Sequence, residues 1–152
     1  MMEKYKLDNF ERENPGAVLD FQNLDLFVSG KVIGMLLSFL GYKSADIQTS
    51  KLYTDIQNSP LAKIEYGDEM TLAFLGKLLA SLDIGISDTV FVIWDLKSTV
   101  DQFDGGILIR YWDYIWYDSS DEGIVLFIPN REIALFITEH GYASILRARL
   151  FN

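Results

Sequence analysis

The chain has 152 residues, of which 49% are hydrophobic and 14% aromatic, and it carries a net charge of −9. That length and apolar content predict one domain spanning residues 1–152, with a core that needs no staple. Cysteine is absent, which excludes disulfides and thiolate chemistry and favours a reducing compartment, while the acidity disfavours nucleic acid and anionic lipid as partners. No apolar run reaches the roughly 18 residues of a membrane span, and the mixed-charge start lacks a secretory apolar region, so the expectation is a soluble cytoplasmic protein.

The first half, to about Leu82, reads as helical after an irregular or extended start. Asn14-Pro15-Gly16 is a turn signal, and the runs Ala17–Phe21 and Leu24–Val28 read as an early strand or a hairpin. Ser29 then caps a helix through Leu40, in which Ile33, Leu36, Leu37 and Leu40 recur at i, i+3, i+4 and i+7. Gly41 stands where a left-handed terminal residue belongs. A second helix starts at Ser44 or Thr49 and ends at Pro60. A third, capped by Asp68, carries Leu72, Leu75, Leu79 and Leu82 on one stripe and closes at Gly85.

From Thr89 the period changes. Val90-Phe91-Val92-Ile93-Trp94 is a β-favouring run of the kind covered on both faces. Residues 101–106 read as a loop, Ile107 to Tyr117 as a long strand, and Ile124 to Ile128 and Ile133 to Thr138 as two strands joined by a tight turn at Pro129-Asn130. A last strand runs from Tyr142 to Leu150 after a turn at Glu139-His140-Gly141. The fold expected is α+β, with N-terminal helices packed on one face of a C-terminal antiparallel meander of about five strands.

Tyr111 to Glu122 is the most informative stretch, with five aromatic rings and four carboxylates in twelve residues. As a strand it places Trp112, Tyr114 and Trp116 on one face and Asp113 with Tyr111 and Ile115 on the other; neither face is cleanly apolar, so the period leaves open which is buried. If the aromatic row is open to solvent, it is a patch that soluble proteins seldom leave unused. Charge points the same way, because residues 83–122 hold nine acids against two bases and would steer a cationic partner.

Other chemistries match poorly. Asp118-Ser119-Ser120-Asp121-Glu122-Gly123 begins like a calcium loop but ends at Pro129 where a bidentate Glu belongs. Ser29-Gly30-Lys31 lacks the upstream glycine of a phosphate loop, and Val32 replaces its hydroxyl residue. Ser119 or Ser120 with His140 is not set in a nucleophile elbow. No catalytic residue, metal ligand or cofactor site is therefore assigned, and the expectation is a binding protein, not an enzyme.

Between Trp116-Tyr117-Asp118-Ser119-Ser120-Asp121 and Glu139-His140-Gly141 the chain resembles the small acidic immunity proteins of bacterial toxin–immunity systems. The resemblance covers residues 111–143. It implies a stoichiometric inhibitor that occludes the basic active-site groove of a cognate toxin, with a nuclease as one such partner. The expected contact residues are Asp104, Trp112, Asp113, Tyr114, Trp116, Asp118, Asp121 and Glu122, the acids steering association and the rings slowing release. Two other classes stay open: a nucleic-acid mimic of the phage or anti-restriction kind, and a small enzyme with a carboxylate or His140 site.

Overall fold

Apolar side chains alternate to both sides of the central strands, so the sheet has to be covered twice. The computed structural model describes residues 1–60, 63–66, 72–116, 123–138, 142–147 and 149–151. Its strands are β1 (Gln22–Asn23), β2 (Lys63–Tyr66), β3 (Thr89–Ile93), β4 (Asp101–Asp104), β5 (Gly123–Ile128), β6 (Ile133–Thr138) and β7 (Tyr142–Leu146). They form one sheet in the order β1-β4-β3-β5-β6-β7-β2, and each neighbouring pair is antiparallel. The fold is α+β, with the expected meander in β5, β6 and β7.

The helices are α1 (Lys4–Glu13), α2 (Leu26–Leu40), α3 (Thr49–Asn58), α4 (Leu72–Ser81), α5 (Gly105–Arg110) and α6 (Trp112–Ile115). They flank both faces of the sheet instead of one. Val90, Val92, Ile124, Leu126 and Leu135 meet Phe10 of α1, Leu79 of α4, Leu108 of α5 and Trp112 of α6. On the other side Ile93, Val125, Phe127 and Phe136 meet Leu36, Leu37 and Leu40 of α2 and Leu52 and Ile56 of α3. Each such side chain contributes about 1.5–3 kcal/mol by leaving water, and β5, buried at every residue, needs both layers.

Helix α2 begins earlier than its apolar spacing suggests, because Asp25 and not Ser29 is the cap: its carboxylate accepts the Val28 N–H at 2.8 Å. Ser29 is buried inside the helix, where its hydroxyl accepts the Val100 N–H at 2.8 Å and donates to the Leu24 carbonyl. Gly41 ends the helix at φ 92° and returns its N–H to Leu37 and Ser38, as its position predicts. Helix α3 starts at Thr49, and the expected Asp68 cap of α4 lies outside the described residues.

Three expectations are corrected. The N-terminal segment is a helix, α1, held by Phe10 in the core. Residues 101–104 pair with β3 as a strand in place of a loop. The long strand expected over Ile107–Tyr117 is instead the helices α5 and α6 as far as Ile115. Leu108, Trp112 and Ile115 are buried together at spacings of 4 and 3, a helical period that outweighs the β-favouring composition. Gly105 makes the entry to α5 possible: its N–H donates to the Asp88 carbonyl at 2.8 Å, and a Cβ there would collide with the Gly85 carbonyl.

The β5–β6 hairpin pairs Ile128 with Ile133 around a single 3-10 turn at Pro129–Arg131, with Glu132 at φ 51°. The final strand stops at Leu146. Beyond it the Leu150 N–H reaches back to the Leu40 carbonyl at 2.9 Å, which fastens the chain end to α2.

Candidate functional site

Helix α6 is where the sequence concentrates rings and acids, and its packing separates the two. Trp112 is 0% and Trp116 4% exposed, and their rings stack at 6.3 Å within the core cluster. Neither tryptophan is an exposed anchor; the expectation for these two is corrected. In a helix they share the inward face, which settles what strand alternation left open.

Asp113 is exposed on α6, whereas Tyr111, just before the helix, and Tyr114 are half-buried at i and i+3 on the side turned to α1. Phe10 of α1 meets both tyrosines edge-on, at 4.9 and 5.4 Å between ring centroids. The Tyr114 hydroxyl donates to Glu13 at 2.9 Å, and the Arg110 guanidinium lies 5.3 Å from the centre of the Tyr111 ring. Glu13 also pairs with Arg12 at 3.8 Å, so the two oriented rings sit in a polar surface of mixed charge with little side-chain entropy left to lose. Asp104 is exposed at the end of β4. Asp118, Asp121 and Glu122, with His140, lie outside the described residues.

The acids of residues 83–122 do not all face water. Asp101 is fully buried: its carboxylate accepts the Met2 N–H at 2.6 Å, the Trp94 indole N–H at 2.9 Å and the Asn23 amide at 2.7 Å. Asp88 accepts the Gly85 N–H at 2.6 Å and the Arg131 Nε–H at 3.0 Å. Asp83, Asp95, Asp104 and Asp113 are exposed. Lys6, 1% exposed, donates to the Ile115 carbonyl at 2.9 Å and stands 4.3 Å above the Trp94 ring. This buried polar assembly ties α1, α6 and the β3–β4 pair into one rigid support.

A cleft of about 190 Å³ opens at the end of the sheet where β3 leaves and β5 enters, lined by Thr49, Ser50, Tyr53, Trp94, Asp95 and Gly123. On the same face, along α2, a shallower apolar shelf runs over Met35, Phe39, Phe127 and Pro129, and Leu26 and Phe27 are exposed in the first turn of that helix.

The residues that sequence reasoning missed are Glu13, brought to Tyr114 by the docking of α1, Tyr111 on the Phe10 ring, and the cleft residues. Helical spacing through 108–116 would have exposed the first error. Among the described residues no cluster of three or more potential metal ligands occurs, and no helix is long and apolar enough to cross a membrane. Compared with protein-family models, with curated proteins and with solved structures, the chain matches none.

Proposed function

We propose that this chain is a protein-binding inhibitor of the immunity-protein kind, which neutralises a basic bacterial toxin in the cytoplasm by covering its active-site groove. The observation that carries the reading is the exposed Asp113 of α6, with two tyrosines held in fixed orientation where the helix meets α1 and Glu13 bonded to one of them. Carboxylates steer a cationic partner, and tyrosines give contact area at low entropic cost. The buried Trp112–Trp116 stack serves the interface indirectly, because it fixes the helix that presents Asp113.

A basic groove is the natural complement of such a surface, and a nuclease toxin has one. The absence of cysteine suits a reducing cytoplasm.

The test is capture from lysate of the source organism on the tagged chain, at low and at high salt, with mass spectrometry of what is retained. One basic protein held at equal stoichiometry, and more weakly at high salt, supports the proposal. Retention of no such protein at either salt overturns it.

A further inference from the structure

Resting on that reading, the geometry points to the cleft beside Asp95 as a slot for one arginine side chain of the basic partner. At about 190 Å³ it is smaller than the roughly 300–1,000 Å³ of ordinary ligand pockets, so it has room for a side-chain head group and not for a cofactor.

Its lining sets the hydroxyls and first-turn N–H groups of Thr49 and Ser50 opposite a carboxylate and two carbonyl acceptors. The Trp94 and Gly123 carbonyl oxygens both lie within reach of the Tyr53 hydroxyl, at 3.3 and 3.2 Å. That hydroxyl has one proton for the two, and each carbonyl oxygen has two lone pairs. Asp95 accepts the Lys97 N–H through Oδ1 at 2.6 Å, and its Oδ2 carries no hydrogen bond among the described residues. Asp95 and the two carbonyls suit a donor-rich cation, and a guanidinium offers five N–H donors and no acceptor.

Two nearby lysines are already engaged, while the Met1 ammonium, which donates to the Thr99 carbonyl at 2.9 Å, also feels the Asp95 charge. Lys97 pairs with Asp46 and Lys51 with Asp55. The N-terminus of α3 adds about half a positive charge, which the full charge of Asp95 outweighs. Lys6 occupies one face of the Trp94 ring, so the guest is held by the carboxylate and carbonyls and not by that ring face.

The experiment is a ¹⁵N NMR titration of the full chain with N-acetyl-arginine amide, using neutral N-acetyl-citrulline amide as the matched control. The expected result is saturable shifts at Ser50, Gly123 and the Trp94 indole with the arginine compound alone. Asp95→Asn, which keeps an acceptor for the Lys97 N–H, should weaken the binding at least tenfold. Ser50→Phe, filling the cleft from an exposed position, should abolish it, and it replaces the first variant if that one does not fold.

Absence of saturation, equal shifts with citrulline, or unchanged binding by both variants overturns the slot. Arginine binding with no captured protein leaves the slot standing and removes the inhibitor reading. A captured protein held equally by Asp95→Asn, with no arginine binding, does the reverse.

Discussion

The Trp94 indole N–H donates to the Asp101 carboxylate at 2.9 Å, joining the residue after β3 to the first residue of β4. The same carboxylate holds Met2 and Asn23, so one buried anion organises three chain segments. Asp101→Ala strands the buried Met2 N–H and the part-buried Trp94 indole N–H, while the Asn23 amide keeps Thr99; with unsatisfied buried groups costing about 1–3 kcal/mol each, the expected destabilisation is about 2 kcal/mol or more. Trp94→Phe removes one donor and keeps a ring, so it should cost less. Urea unfolding of the two variants measures both, and a loss under about 1 kcal/mol for Asp101→Ala would contradict the organising role.

Trp112→Ala and Trp116→Ala should each lower stability by about 3–5 kcal/mol, the range for emptying a large buried site. Had these rings been exposed anchors, the same substitutions would have spared stability and weakened binding directly. Chemical denaturation decides between the two roles.

Gly105→Ala should destabilise the chain by about 1–3 kcal/mol through overpacking, since the added methyl meets the Gly85 carbonyl. The backbone of the 85–88 turn has to move to admit it. Gly30→Ala is the control: it adds its methyl to open space on α2 and should stabilise by up to about 1 kcal/mol. Thermal unfolding of both variants should show shifts of opposite sign.

The hydrogen bond from the Gly85 N–H, working against partial burial and aided by Arg131, holds the Asp88 carboxyl below the usual carboxylate range. A native pKa below the unfolded one means the unfolded chain binds the proton first. The stabilisation is thus present above the unfolded value, near pH 4, and lost as pH falls through the native value. Asp88→Asn should be less stable than the parent near neutrality and converge with it in acid. Urea midpoints measured from about pH 6 down to pH 2 check this, and a difference that persists in acid would contradict it.

Much of the fold can be read from side-chain period alone. Val90–Ile93, Ile124–Ile128 and Ile133–Thr138 are strands as their runs predict, and Gly41 ends α2 as its position predicts. The failures share one cause, which is the dominance of tertiary context over composition. Tyr, Trp and Ile favour strands, so 107–117 reads as one until Leu108, Trp112 and Ile115 are weighed at helical spacing. Helix α1 offers few apolar positions, and its anchoring by Phe10 and Lys6 depends on partners about a hundred residues away. For the site, Asp104 and Asp113 are exposed as expected. The tryptophans are not, and Glu13 could reach Tyr114 only through the docking of α1.

The most direct measurement is parallel salt-dependent capture by the parent chain and by Asp104→Lys/Asp113→Lys, two exposed positions whose reversal leaves the core untouched. If these two carboxylates recruit a basic protein, the parent retains it at low salt and the folded double variant loses it, with association slowed at least about tenfold. Equal retention by both would show that these carboxylates are not the recognition surface, and that the inhibitor account is misplaced.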